Sequence, residues 1–185
     1  LQCLKVTSRK KIIIATDSEK IMKSFKKEDT KCILIKSKCL TGTDRIAEVA
    51  KKYKAKFYIN VQGDMPDVTH DMINAVADYL RYYPITTLFT DMREEEQQKP
   101  STVKMIRAGD KALWFGRGMT GYGEWHLGIY GYRQDALALY PDLEVTKEEE
   151  TEKLEQLRWL KAGWDIGCTR VDFNGVEINT QEDVY

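Results

Sequence analysis

Short apolar runs alternate along the chain with stretches in which apolar residues recur every third or fourth position. Four of the runs are brief and rich in β-branched residues, as buried strands are: 11–15, 32–35, 57–61 and 85–90. Three of the stretches between and after them have helical spacing: 18–27, 43–53 and 67–81. The first half of the chain therefore predicts strands that alternate with helices.

The second half of the chain has a different pattern of apolar residues. Residues 103–106 and 112–115 flank Ala108-Gly109-Asp110 and predict a hairpin. Further along, the pattern predicts a strand, a helix, a strand and a capped final helix, at 126–132, 148–162, 166–173 and from Thr180 onward. Alternating β and α units favour one fold class, an α/β domain with a mostly parallel sheet and helices on both faces. We expect a single domain over residues 1–185.

Composition and charge exclude some classes of partner. The 185 residues are 42% hydrophobic and 31% charged, which is ordinary for a globular protein. Acidic and basic residues balance at 29 each, so no charge excess indicates a nucleic acid or a membrane surface as partner. The four cysteines show no metal-ligand or redox spacing. We expect free thiols and a cytoplasmic protein without a membrane span.

Polar side chains follow the predicted strands, where ligands bind in open α/β sheets. Gln62-Gly63-Asp64 comes directly after the strand at 57–61. A carboxylate beside a glycine lets a phosphate or a metal ion approach the backbone closely. A simple turn would have the same local sequence, so this motif alone does not decide between the two.

Other candidate residues are equally open when taken one at a time. Residues 41–45 begin a helix whose N–H groups could hold an anion or the edge of a base. Alternatively, Thr43 could be the N-cap residue of a capping box. Arg117 could pair with a carboxylate, whereas His126 on a strand is more often a core residue. Glu155 and Gln156 lie in a predicted helix that could simply expose them.

The order of the motifs carries more information than any one of them. Taken together, they resemble the 3-deoxy-manno-octulosonate (Kdo) cytidylyltransferases, the CMP-Kdo synthetases of bacterial lipopolysaccharide biosynthesis. Five motifs carry the resemblance: T-G-T-D-R-I-A-E at 41–48, N-V-Q-G-D at 60–64, A-L-W-F-G-R at 112–117, H-L-G-I-Y-G-Y-R at 126–133 and L-E-Q-L-R at 154–158. The resemblance covers residues 12–184, and the motifs match those of the family in spacing as well as in order.

The resemblance implies a fold and a reaction. It implies a Rossmann-like α/β domain with a small β-rich dimerisation and sugar-binding part at about residues 100–135, and hence a homodimer. The implied reaction joins the anomeric hydroxyl of a sugar acid to the α-phosphate of CTP and releases pyrophosphate. Kdo and 8-amino-Kdo are both compatible with the motifs as they stand in this sequence.

The resemblance also implies roles for particular residues. Asp64 would ligate a catalytic Mg²⁺, with Asn179 at the position of a second metal ligand, and Arg117 would share the catalytic role with Asp64. Two further sets would bind the substrates: Gln62, Arg117, His126, Tyr130, Glu155 and Gln156 around the sugar acid, and Thr41, Gly42, Thr43, Asp44 and Arg45 around the nucleotide. Mg²⁺ prefers hard oxygen ligands, and Arg suits a carboxylate, so the residue types agree with these roles.

The sequence departs from the family pattern in three places. The family begins with a strand and a basic loop that wraps the triphosphate, whereas this sequence starts at Leu1 in a region that resembles the helix after that loop. We therefore expect this chain to be a fragment that is inactive by itself. Asn179 replaces a metal-binding Asp, so metal affinity should fall or Glu177 should contribute instead. Met65 and Gly116 also differ from the family, so the motifs define the reaction more closely than the sugar acid.

Three alternatives remain at this point. The first is a CMP-sialic-acid-type synthetase acting on another sugar acid. The second is a catalytically impaired relative that only binds a nucleotide or a sugar, which the absent loop and Asn179 favour and the retained Asp64 and Arg117 oppose. The third is a metal-dependent glycosyltransferase, but no D-x-D follows a predicted strand.

Overall fold

The computed structural model describes residues 2–25, 31–35 and 38–178, which form eight β-strands and seven α-helices. The strands are β1 Ile13–Thr16, β2 Lys31–Leu34, β3 Phe57–Val61, β4 Ile85–Thr90, β5 Lys104–Ala108, β6 Lys111–Gly116, β7 Glu124–Arg133 and β8 Ile166–Arg170. The helices are α1 Cys3–Val6, α2 Glu19–Ser24, α3 Gly42–Lys52, α4 His70–Tyr79, α5 Gln134–Leu139, α6 Lys147–Glu152 and α7 Gln156–Lys161.

The strands form a mixed sheet. Six of them lie in the order β3-β7-β4-β8-β6-β5, with β5 also pairing with β7, and β1 and β2 form a separate parallel pair. Within the described part of the six-stranded sheet, β4 and β8 are the only hydrogen-bonded neighbours that pair in parallel. The expectation of a mostly parallel sheet was therefore wrong. β3 and β4 do run the same way, but the long β7 passes between them in the opposite direction.

Helices cover both faces of this sheet, as expected. Successive side chains of β7 point to opposite faces, and each face packs against helices. Tyr130 and Tyr132 belong to one buried cluster, which also takes side chains from α3, α5 and α7. Leu127 and Ile129 belong to the other, which includes Met72 and Val76 of α4. Burying a side chain of this size stabilises the fold by about 1.5–3 kcal/mol. The α/β fold class is thus confirmed.

The predicted helix at 148–162 is two helices. α6 ends at Glu152, and Lys153 has a φ of 57°, a left-handed conformation that stops the helix. The chain then restarts as α7 after Glu155. The helical period continues across this break, and for that reason the sequence pattern did not reveal it.

Two further expectations concern the C-terminal part of the chain. The last strand, predicted for 166–173, ends at Arg170, after which the chain has no regular structure up to Ile178. The final helix predicted from Thr180 lies outside the described residues. None of the helices in the described part of the chain is long and apolar enough to cross a membrane.

Candidate active site

A cleft of about 440 Å³ lies beside the carboxyl end of β3, the start of α3 and the α6–α7 break. It collects residues from all five motifs, which are up to 115 positions apart in the chain (156 minus 41). Nine of the predicted site residues line it: Thr41, Gly42, Gln62, Asp64, Arg117, His126, Tyr130, Glu155 and Gln156.

Three predicted nucleotide-site residues turn their side chains to other parts of the protein. The Thr43 hydroxyl lies 3.0 Å from the Tyr132 hydroxyl in the core. Asp44 accepts hydrogen bonds from Thr41, and Arg45 pairs with Asp17 at 2.6 Å. The fourth residue that does not line the cleft, Asn179, lies outside the described residues.

The N-terminus of α3 is closed by the protein's own groups. Thr41, rather than Thr43, is the cap, and with Asp44 it forms a reciprocal capping box. The Thr43 N–H donates to the Glu155 carboxylate at 2.6 Å. Of the alternatives left open for this helix start, the structure therefore shows the capping box, with the Glu155 carboxylate on the Thr43 N–H.

Glu155 joins α3 to the floor of the cleft. Its other oxygen accepts a hydrogen bond from Gln62 Nε2 at 3.3 Å. A Cβ at Gly42 would lie 3.3 Å from Glu155, and one at Gly128 would lie 3.1 Å from Gln62, so both glycines permit this close packing. Burial raises the pKa of the Glu155 carboxyl, and the hydrogen bond from Thr43 opposes this shift.

Asp64 stands in the loop just beyond the end of β3. Its Oδ1 is buried and has no hydrogen-bond partner among the described residues. Burial raises the pKa of this carboxyl, while a backbone hydrogen bond and the Arg117 charge lower it. The Ile178 N–H donates to the Asp64 carbonyl at 2.8 Å, and Glu177 also lines the cleft. A buried carboxylate oxygen without a partner suits a ligand or a metal ion.

Arg117, directly after β6, is held by backbone carbonyls. Its Nε donates to the Glu152 carbonyl at 3.1 Å and its Nη1 to the Ser101 carbonyl at 2.6 Å. Its Nη2 has no partner within the part of the chain that the structure describes. The guanidinium is therefore oriented, yet it keeps donors for an anionic ligand.

His126 is a neutral ring in a buried position. Its Nε2 lies 2.9 Å from the Thr87 hydroxyl, which donates to the Ile129 carbonyl at 2.9 Å. With that hydroxyl proton on a carbonyl, we assign the tautomer in which Nε2 donates and Nδ1 is an acceptor. Burial lowers the pKa of His126 to about 3, and the Arg117 charge adds to the shift. A neutral acceptor of this kind suits a ligand hydroxyl.

Two more side chains offer neutral polar atoms. Gln156 is buried, and its Nε2 has no hydrogen-bond partner among the described residues. Tyr130 is stacked on Tyr132 with ring centroids 6.0 Å apart, and burial raises the pKa of its phenol well above the usual value. Both side chains can form hydrogen bonds with an uncharged ligand group.

The sequence pattern did not single out two acidic residues at or beside the cleft. Glu149 lines it but is buried against Arg158, which binds it through two hydrogen bonds. Glu152 accepts the Arg117 N–H at 2.7 Å. Both belong to the acidic run at 147–152, which has the composition of a solvated helix. Arg158 in L-E-Q-L-R could have indicated that one of these acids is buried, since a cation this close to the core needs an acidic partner.

The described residues include no group of three or more His, Cys, Asp or Glu side chains arranged to hold a metal ion. Asp64 and Glu177 are two carboxylates at one cleft. Mg²⁺ commonly takes one or two protein carboxylates and completes its shell with water and substrate phosphates. The side chains present therefore fit a magnesium ion that is shared with a phosphorylated substrate.

Comparisons with known proteins identify the family of this chain. The sequence model of the cytidylyltransferase family matches residues 2–166. A 3-deoxy-manno-octulosonate cytidylyltransferase from Acidobacterium capsulatum is 34% identical, over 95% of this chain and 76% of the relative. One from Rickettsia typhi is 37% identical, over 92% of this chain and 76% of the relative.

A solved structure is similar over nearly the whole chain. It is a CMP:2-keto-3-deoxy-manno-octonic acid synthetase in complex with CTP. The match has a TM-score of 0.88 at 31% identity and covers 98% of this chain and 80% of that one. In sequence and in fold, the chain belongs to the cytidylyltransferase family.

Proposed function

We propose that this protein transfers CMP from CTP to the anomeric hydroxyl of an eight-carbon sugar acid, Kdo or 8-amino-Kdo, and releases pyrophosphate. The product would serve lipopolysaccharide biosynthesis. One observation carries the proposal: the residues of the five motifs meet at one cleft that offers an oriented guanidinium, a neutral imidazole and unpartnered polar atoms. The relatives, which are named as Kdo cytidylyltransferases, support the choice of sugar.

The sugar acid would be bound by groups of matching charge. Arg117 Nη2 is proposed to donate to the sugar carboxylate. His126 Nδ1 would accept from a sugar hydroxyl, and Gln156 Nε2 would donate to a sugar oxygen, which would give its buried amide a partner. Tyr130 adds a neutral hydroxyl at the same cleft. Since burial and the Arg117 charge keep the imidazole neutral, it would not compete for the sugar carboxylate.

The other sugar-site candidates would act partly through each other. Glu155 bonds to the Thr43 N–H and to Gln62, so its carboxylate supports the shape of the cleft as well as facing it. On the nucleotide side, Thr41 and Gly42 are the proposed cytosine contacts because they line the cleft. Arg45, whose side chain pairs elsewhere, would support that side from outside the cleft.

Magnesium is the proposed cofactor. Asp64 and Glu177 would hold it, with Asn179 as a further candidate ligand, and bound Mg²⁺ would neutralise charge on the phosphate oxygens. The support is the buried, unpartnered Asp64 Oδ1 together with a second carboxylate at the same cleft. The residues of the chain would then orient the anomeric hydroxyl towards the α-phosphate and exclude water, since phosphoryl transfer depends mainly on positioning and charge neutralisation.

We also propose a homodimer of single-domain chains, formed through the β-rich region at about 100–135. This region supplies Arg117 and His126 to the cleft. It also exposes 48% of Leu113 and 59% of Tyr122, and exposed apolar side chains of this size suit contact with a second copy. Because the reaction consumes CTP, we place the enzyme in the cytoplasm.

The proposal is tested by a direct assay. The protein expressed from its complete gene is incubated with CTP, Mg²⁺ and one sugar acid, and released pyrophosphate and the CMP-sugar are measured. We expect turnover with Kdo or 8-amino-Kdo and little with N-acetylneuraminic acid. Turnover with the sialic acid alone would show that the proposed substrate is wrong. No turnover with any of the three sugar acids would refute the proposed enzymatic activity.

Replacing Arg117 or His126 by Ala is expected to raise the KM for the sugar acid much more than that for CTP. Each substitution removes a hydrogen bond proposed to reach the sugar, and a bond to a charged group is worth roughly 1.5–3 kcal/mol, or about ten- to a hundredfold. Initial rates over both substrate concentrations give the two KM values. Equal increases for both substrates would place these residues outside the sugar site.

A further inference from the structure

Lys104 has no solvent exposure, although it carries an ammonium group. Its Nζ donates to the backbone carbonyls of Lys99 and Arg117, the latter at 3.4 Å. No carboxylate among the described residues accepts a hydrogen bond from it. Burying a charge in this way costs free energy that a methionine of similar length at the same position would not cost. Stability alone therefore does not explain this lysine.

The position of Lys104 in the sheet connects it to the cleft. On β6 it is paired with Gly116, the residue before Arg117. On β7 it is paired with Trp125, the residue before His126. Lys104 therefore stands in register between the two strand ends that present the proposed sugar-binding side chains.

Several hydrogen bonds hold Arg117 in place, and Lys104 supports two of the backbone segments involved. The ammonium binds the Arg117 carbonyl directly. It also binds the carbonyl of Lys99, two residues before Ser101, whose own carbonyl receives Arg117 Nη1. Glu152 completes the arrangement, because its carboxylate accepts the Arg117 N–H and its carbonyl accepts Nε.

Charges around the ammonium are consistent with this arrangement. Burial lowers the pKa of Lys104, the Glu96 carboxylate opposes this shift and the Arg117 charge adds to it. Glu96 also binds Lys99 at 2.6 Å, so the segment that accepts from Lys104 is itself anchored. The Lys104 ammonium and the Arg117 guanidinium are thus two cations close to each other, which raises the positive potential around Arg117.

We propose that Lys104 is a positioning residue: it fixes the backbone on both sides of the Arg117 guanidinium so that its free donors face the carboxylate of the sugar acid. The identity of that ligand rests on the proposed function, whereas the positioning depends only on the contacts of the chain itself. Glu152 is the second member of the same arrangement.

The first test does not depend on activity. Hydrogen exchange of the Arg117 Nε–H is followed by nitrogen-15 NMR in the complete protein, with the signal assigned through Arg117→Lys. Lys104→Met should speed this exchange by roughly tenfold, because the Nε–H···O bond to Glu152 loses its fixed geometry. Lys111→Met, which removes a partly exposed lysine on the adjacent strand that pairs with Asp165, is the matched control and should leave the signal unchanged. Unchanged exchange in Lys104→Met would overturn the proposal.

The second test uses kinetics. Lys104→Met should raise the KM for the sugar acid roughly tenfold and leave that for CTP within about twofold, without lowering the Tm. In an Arg117→Ala background the same substitution should change the sugar-acid KM by less than about twofold, since Lys104 acts through Arg117. Independent effects in the two backgrounds, or a lower Tm with both KM values raised, would overturn the positioning role.

A second variant keeps the inference falsifiable if Lys104→Met does not fold. Glu152→Gln preserves size and weakens the bonds to the Arg117 backbone, so it should change the exchange and the sugar-acid KM in the same direction. If neither measurement changes, the proposal is wrong. Should the wild-type protein show no CMP transfer to a sugar acid, the proposed function fails, and the exchange measurement still decides the positioning of Arg117.

Discussion

Asp64→Asn is expected to lower the rate of CMP transfer by roughly 10²–10³-fold while the protein stays folded. The substitution removes a negative oxygen ligand that is proposed to hold Mg²⁺ against the phosphates. The fold contact of this residue is its backbone carbonyl, which accepts from the Ile178 N–H and is unaffected by the change. Because burial disfavours the ionised carboxyl, the Tm should stay the same or rise. Steady-state kinetics at saturating CTP and sugar acid, with a thermal melt, measure both effects.

Asp67→Asn is the matched control, since Asp67 lies in the same loop and is exposed. Its Oδ2 accepts from the Val176 N–H, a bond that an asparagine oxygen can keep. We expect near-normal turnover from this variant. Near-normal turnover from Asp64→Asn as well would remove Asp64 from the proposed metal site.

Arg158→Met is expected to destabilise the fold by roughly 3–5 kcal/mol, the usual cost of breaking a buried ion pair on one side. Arg158 is 2% exposed and holds the buried Glu149 through two hydrogen bonds, of 2.8 and 2.5 Å. It also reaches Asp44 at 3.4 Å and stacks over the Tyr140 ring at 4.2 Å. Without the guanidinium, Glu149 would be left as an uncompensated buried charge. Urea denaturation gives the free energy of unfolding.

Two comparisons identify the cause of that loss. Arg81→Met removes an ion pair with Asp78 in which both side chains are more than 60% exposed, and it should cost no more than about 1 kcal/mol. Adding Glu149→Leu to Arg158→Met should recover part of the lost stability, because the unpaired carboxylate is then gone. A loss below about 1 kcal/mol in Arg158→Met alone would mean that Glu149 is not buried as an ion in solution.

The family, and nine of the residues that line the cleft, could be predicted from the sequence. The period of apolar residues marked the strands and helices, since it records which side chains are buried. The rule that ligands bind beyond strand ends drew attention to Gln62 and Asp64, and the order of the motifs added Arg117, His126 and Glu155. The structure brings these side chains to one cleft.

Strand direction and the break in the predicted helix at 148–162 were decided only by the tertiary structure. A buried strand has the same apolar pattern whichever way it runs, so nothing in the residues of β7 indicated that it passes antiparallel between β3 and β4. Similarly, the helical period runs through Lys153, whose left-handed conformation ends α6.

Hydrogen-bond partners were also decided only by the fold. The sequence shows a helix start at 41–45 and a Glu-Gln pair at 155–156, but not that Glu155, 112 positions away, takes the Thr43 N–H and closes that helix end. It shows a lysine at position 104, but not that its ammonium is buried against the Arg117 carbonyl. Such partners depend on which strands and helices become neighbours, and apolar periodicity determines burial without determining neighbours.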